Sequence, residues 1–361
     1  MEIAVIGGGH GCYAAAAHLS EAGHSVRLWR RDGEALAPVL EKGAITLTDW
    51  QGSRNIEIAL ATSDIADAMH GAELVVIPLP ATSHDALSKV LAPHWEDGQV
   101  AFLPPGTFGS YIFAEAARGA GNMAGAAFAE TGTLPYLARK QDTNHVRISV
   151  YATRLPTGVF PAIETDRALE VIAAAYPVER LSDALDGALM NAGPIIHPPL
   201  IIMNAGPLEH FDAWDIHNEG TQPSIRRTTD ALDAERIELR QALGYGAPHF
   251  PLADHYDDTR EEWMYGNASH EKLTDSGDWR EHIELLSHRY MLEDTRLGLS
   301  LMASLGEAAG LDLPLINGFL AIGGAITGTD FKATGRTLAA LGLEGLSLDE
   351  LRALLQSGER P

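Results

Sequence analysis

Two residues in the second half of the chain have types and surroundings suited to proton transfer. His197 lies among Ile195, Ile196, Leu200 and Ile201 and is followed by Pro198 and Pro199. Prolines remove N–H donors and push the preceding residue out of the α region, so a helix here is expected to break or kink at the histidine. Asp294 falls in a stretch expected to be helical over about 281–305. The apolar stripe of that stretch runs Leu286, Tyr290, Asp294, Leu297, Leu301, at steps of four, four, three and four, which places a carboxylate on the buried face. An unpaired buried charge is costly enough to be neutralised or paired. Its partner is either His197, which makes a histidine held and rendered more basic by a carboxylate, or Arg289, which makes a structural ion pair. A lone apolar histidine is more often a core residue, and spacing alone leaves the pairing open.

What such a pair would act on is suggested by the other end of the chain. Residues 2–6 read as a strand buried on both faces. A glycine turn follows, Gly7-Gly8-Gly9-His10-Gly11-Cys12, then a small-residue helix through Ala14–Ala17 and a second strand at 25–29. Glycines in this position let the backbone approach a diphosphate at a helix N-terminus, where free N–H groups favour anions. The pattern predicts a dinucleotide site using Gly7, Gly9, His10 and Gly11, with Pro80 at the end of a later strand. Cys12 stands where the third glycine is usual. The second strand ends in Trp29-Arg30-Arg31-Asp32. Arg30 and Arg31 lie where a 2′-phosphate would sit, so NADP is expected in preference to NAD; ribose recognition by Asp32 is the alternative, and NAD remains possible.

These two regions need two domains, and 361 residues with 45% hydrophobic and 21% charged content provide them. A net charge of −23 argues against nucleic acid and anionic membrane partners, and no apolar run approaches the ~20 residues of a membrane span. The chain opens directly on a strand, without a leader pattern, and carries one cysteine, so a reducing, cytoplasmic location is expected and a cysteine-based zinc site or internal disulfide is excluded. Asp254, His255, Asp257 and Asp258 read as a solvated loop, and no metal is expected.

Strand and helix alternate to about residue 149, with a hairpin over 44–60 in which Trp50 lies at the turn. This predicts an α/β fold with an N-terminal Rossmann-type, doubly wound parallel sheet over 1–183. Over 184–361 helical spacing dominates, at 224–243, 280–305, 311–325, 330–341 and 347–356, which predicts an all-α second domain. The segment 178–186 is the expected connection, and a ligand cleft between the domains is the default.

Several motifs resemble the opine dehydrogenases, the octopine, nopaline and related N-(1-carboxyalkyl) amino acid dehydrogenases. They are Asn191, His197-Pro198, Asn204-Ala205, Glu219-Gly220, Pro223-Ser224, Asp233-Ala234-Glu235-Arg236-Ile237, Arg289-Tyr290, Glu293-Asp294, Asp330-Phe331, Gly335-Arg336-Thr337-Leu338 and Leu341-Gly342-Leu343. The resemblance covers nearly the whole chain. It implies an NAD(P)H-dependent enzyme that condenses an α-keto acid with the amino group of an amino acid or amine and reduces the imine. It implies that His197 and Asp294 act together, that Arg289 grips a substrate carboxylate, and that Asn191, Glu130 and Thr131 face the substrate, the last two in a stretch continuing through Pro135, Tyr136 and Arg139. Arg30 departs from the acidic residue of NAD-using members. The polar stretch 248–278, together with Trp263 and Trp279, does not match and is expected to shape the amine pocket.

Two rivals share parts of this plan. Ketopantoate reductase-like and glycerol-phosphate dehydrogenase-like enzymes rely on a lysine, and this chain has none between Lys140 and Lys272. A non-catalytic NADP sensor would need no titratable pair. The helical half could offer a homodimer surface.

Overall fold

Ile3, Ala4, Val5 and Ile6 have no solvent exposure, and this is what a strand enclosed on both faces requires. The structure is a computed structural model that describes residues 1–122, 124–274 and 280–360. Contact density divides it into a first unit, Met1–Ala188 with Leu355–Gly358, and a second built on Leu189–Leu354.

The strands of the first unit are β1 (Glu2–Ile6), β2 (Ser25–Trp29), β3 (Ala44–Asp49), β4 (Gly52–Glu57), β5 (Leu60–Thr62), β6 (Leu74–Val76), β7 (Val100–Leu103), β8 (Ala127–Thr131), β9 (Tyr136–Asp142), β10 (His145–Tyr151), β11 (Leu155–Phe160) and β12 (Val178–Arg180). Its helices are α1 (His10–Glu21), α2 (Ala37–Lys42), α3 (Ile65–Met69), α4 (His84–Leu91), α5 (Gly109–Gly119), α6 (Thr165–Ala173) and α7 (Ala184–Ala188). The main sheet has the order β12-β11-β8-β7-β6-β1-β2-β5. It is parallel from β8 to β5, and β11 joins β8 antiparallel. This is the expected α/β Rossmann-type fold, with one correction. Alternation does not continue to residue 149: β9 and β10 leave the main sheet and, with the β3–β4 hairpin, form a second sheet of order β4-β3-β10-β9. Trp50 at the hairpin tip is 83% exposed and packs into neither sheet.

Alpha1 is positioned by small residues. Ala14 to Ala17 are completely buried against the sheet, and Cys12 fits where a glycine is usual because its thiol tucks against the Ile6 and Pro78 carbonyls at 3.5 and 3.8 Å. Burial pushes that thiol up to about 12, so it stays protonated and inert.

The second unit carries α8 (Gly193–Met203), α9 (Ala205–His210), α10 (Pro223–Ala242), α11 (His270–Thr274), a π-helix (Tyr290–Gly298), α12 (Leu299–Ala309), α13 (Pro314–Thr327), α14 (Phe331–Thr334) and α15 (Leu348–Ser357) up to Leu354. A two-strand pairing of Trp214–Asp215 with Arg280–Glu281 interrupts the all-α pattern. Charged residues of α10 hold this unit together. Arg236, 2% exposed, pairs with Asp233 at 2.6 Å and donates to the Leu189, His249 and Phe250 carbonyls. Glu235 accepts the Leu315 and Ile316 amides at the start of α13. The Asp-Ala-Glu-Arg motif is therefore scaffold.

Three expectations are corrected here. Alpha8 does not break at His197: both prolines lie inside the helix, which is buried from Ile195 to Ile202 at every residue but His197 itself. The helix expected from 281 begins only at Tyr290 and is a π-helix, so Leu286 lies before it and is 56% exposed. The helix expected over 330–341 is only α14, because Gly335 follows in an extended conformation.

Candidate active site

Helix α8 and the π-helix approach each other through residues without side chains. A Cβ on Gly193 would lie 2.2 Å from Asp294 Oδ1, and one on Gly298 would lie 2.3 Å from Pro194 Cγ. Asn191 turns the chain into α8 by accepting the Gly193 amide at 2.9 Å. This closeness lets His197 Nδ1 and Asp294 Oδ2 meet at 2.8 Å. Arg289, the other candidate partner, is exposed and forms no ion pair with Asp294; its guanidinium carbon lies 5.1 Å from the centroid of the Tyr290 ring.

Tyr290 stacks on the imidazole of His197, with centroids 3.6 Å apart and planes within 10°. The Tyr290 hydroxyl is 2.9 Å from His217 Nε2, and the His217 ring stands edge-on to His197 at 6.1 Å. Sequence reasoning missed His217, which lies in a loop with no periodicity; its only signal was its place two residues before the Glu219-Gly220 motif.

Burial disfavours charge on both members of the central pair. It pushes the Asp294 carboxyl up, to about 7, against the pull of Arg289, and it pushes His197 well below its ordinary value, helped by the positive fields of Arg289 and His255. At neutral pH the pair therefore holds one proton between Nδ1 and Oδ2, and titrates as a unit. Nε2 is left with a lone pair that can take a proton from a bound molecule. Gly193→Ala should push the carboxylate off the imidazole and lower kcat roughly tenfold while leaving the thermal midpoint within a few degrees, since about 1.4 kcal/mol corresponds to that factor; steady-state kinetics beside a melting curve check it.

Other sequence candidates fall in different surroundings. Glu130 is completely buried, and its two oxygens accept the Phe108 and Ser110 amides at 2.7 and 2.9 Å, capping α5. Thr131 is equally buried and donates to the Pro156 carbonyl at 2.7 Å. These bonds tie Glu130 to the start of α5 and Thr131 to β11. Asp254 and Asp257 pair with Arg260, and His255 lies 3.2 Å from Glu262. Among the described residues no group of three or more His, Cys, Asp or Glu side chains is arranged to hold a metal. Trp263 is buried against Phe250, while Trp279 lies outside the described residues.

At the glycine loop, Gly7 has φ +116 and its amide donates to the Trp29 carbonyl. Gly11 abuts Leu134 and Pro78, and Gly9 faces open space, where a Cβ would meet nothing within 4 Å. Arg30 crosses Gly8, its guanidinium donating to the Ala35 carbonyl at 3.1 Å, and Arg31 is exposed. Pro80 lies exposed just beyond β6, the neighbour of β1. His10 opens α1 and accepts the Lys140 amide. A turn open at Gly9, with guanidinium groups at its β2 side, fits a dinucleotide.

The alpha-helical domain model of the NAD/NADP octopine/nopaline dehydrogenases matches residues 180–327, and the N-terminal model of NAD-dependent glycerol-3-phosphate dehydrogenase matches residues 2–103. An opine dehydrogenase of Arthrobacter sp. (strain 1C) is 28% identical over 362 residues, 98% of each chain. Over nearly its whole length the chain is similar to the opine dehydrogenases. Opine dehydrogenases are NAD(P)-dependent oxidoreductases, and this chain is one. Its fold is also that of an octopine dehydrogenase solved with NADH and agmatine, at TM-score 0.76 and 16% identity over 100% of this chain and 99% of that one. A yersinopine dehydrogenase solved with NADP+ matches at TM-score 0.65 and 13% identity, over 98% and 97% of the two chains. Among the described residues no helix is long and apolar enough to cross a membrane.

Proposed function

We propose that His197 is the acid–base catalyst of a reductive condensation between an α-keto acid and an amino acid or amine, with Asp294 as the group that orients and charges it. The observation that carries this reading is the 2.8 Å contact between His197 Nδ1 and Asp294 Oδ2 on a buried face. His197 Nε2 takes a proton from the substrate ammonium, freeing the amine to attack the keto carbon. The imidazolium, stabilised by the Asp294 carboxylate, returns that proton to the hydroxyl of the carbinolamine, which leaves as water and gives the iminium. A nicotinamide dinucleotide held by the glycine loop would supply the hydride that reduces this carbon. A solvent proton on the product nitrogen completes the balance of one keto acid, one ammonium, one reduced nicotinamide and one proton to one secondary ammonium, water and oxidised cofactor.

Gly7, Gly9, His10 and Gly11 line the diphosphate approach, and Arg30 with Arg31 favours NADP over NAD, because a second phosphate gives guanidinium groups a dianion to bind. A cytoplasmic location agrees with the single, buried cysteine. Arg289, exposed beside Tyr290, is the group for the keto-acid carboxylate. Arg289→Met should raise the KM for keto acid by about 10- to 100-fold with a smaller change in kcat, as expected for loss of one charge-assisted contact.

The deciding experiment follows NADPH and NADH oxidation with pyruvate or glyoxylate, each alone and with a panel of amino acids and amines. Turnover that requires both partners is the expected result. Turnover with keto acid alone would make the enzyme a hydroxy-acid dehydrogenase and end this reading.

A further inference from the structure

The glycine loop gathers more positive charge than its own sequence contains. Lys140 stands on β9, in the smaller sheet, yet its backbone amide donates to His10 Nδ1 at 2.8 Å and its ammonium lies 3.6 Å from the centroid of the Tyr13 ring. Tyr13 follows Cys12 in the first turn of α1 and has no solvent exposure. Arg30 lies beside the hydroxyl of the same tyrosine. One ring thus carries a cation at its face and a second at its edge.

Among the described residues, neither cation forms an ion pair with a carboxylate. This is unusual company in a chain with 49 acidic and 26 basic residues. Burial and the like charge of Arg30 both disfavour the Lys140 ammonium, so the arrangement stores repulsion that an anion would relieve. Arg31 adds a third, exposed charge beside Arg30.

We propose that Lys140 is, with Arg30, the second cation of a site for the 2′-phosphate of NADP, and so a determinant of cofactor choice. The inference rests on the NADP reading above and gives it a residue from outside the β1–α1–β2 segment. The diphosphate is the weaker candidate for this pair: backbone N–H groups of the turn serve it, and Arg30 follows β2, whose end faces the adenosine ribose in this fold. The neutral ribose hydroxyls of NAD would leave both cations uncompensated.

The test is calorimetric titration of the full chain with 2′,5′-ADP and 5′-AMP, which differ only in the 2′-phosphate. The unmodified chain should prefer 2′,5′-ADP. Lys140→Met, which keeps an unbranched side chain and removes the charge, should weaken 2′,5′-ADP by roughly tenfold and 5′-AMP by no more than about twofold, and Lys140→Arg should restore most of the preference. An equal loss for both nucleotides would mean that Lys140 serves their common part or the fold, and would overturn the proposal. So would an undiminished preference in Lys140→Met, which leaves the NADP reading standing; absence of preference in the unmodified chain would remove both.

Discussion

Replacing His197 with alanine should reduce turnover by about a thousandfold or more while leaving NADPH affinity nearly unchanged, within the range that loss of a positioned acid–base group produces. The separation follows from where the groups lie. The glycine loop, Arg30 and Lys140 belong to the first unit and His197 to the second, so the substitution changes none of the residues proposed to hold the nucleotide. The fold should also survive it. Asp294 is left buried without its partner, but burial already pushes its carboxyl to about 7, so the group can be neutralised by taking a proton. A titration of NADPH fluorescence beside steady-state kinetics measures both quantities. Turnover within tenfold of the unmodified enzyme would sink the assignment, and loss of NADPH binding would point to a collapsed structure.

How much of this was legible in the residues depends on the range of the interaction. The dinucleotide half announced itself because strand, glycine turn, small-residue helix and second strand follow one another within 29 residues, and each obeys a local rule. The smaller sheet did not, because its central pairing joins Thr46 to His145 in parallel, a contact no local periodicity records. Proline rules predicted a break at His197. They describe an isolated helix, whereas α8 keeps its path because nearly its whole surface is packed. The reading of Asp294 as a buried carboxylate survived an error about its helix: a π-turn is wider than an α-turn, but Tyr290, Asp294, Leu297 and Leu301 all remain buried. Leu286 shows where that extrapolation stopped.

Asp294→Asn should lower kcat by about a hundredfold or more, with little change in the cofactor Kd, and should move the acid limb of the rate profile. Asparagine has the same shape and its side-chain carbonyl can still accept the Nδ1 hydrogen, so the imidazole keeps its orientation and its stack on Tyr290. What is lost is the negative charge that stabilises the imidazolium between the two proton transfers. The sign of the pH effect follows from the base form being the active one. In the unmodified enzyme the pair titrates as a unit, so Nε2 is free only while Asp294 is ionised and Nδ1 holds the shared proton, and kcat/KM for amine falls as pH drops and the pair takes up a further proton. Removing the carboxylate makes the imidazolium still less favourable, so the acid limb should shift to lower pH even as the maximal rate falls. Profiles of kcat/KM for both proteins, at saturating cofactor, measure the limb and the plateau together. A plateau within threefold of the unmodified enzyme, or a limb moved upward, would show that Asp294 only anchors the ring.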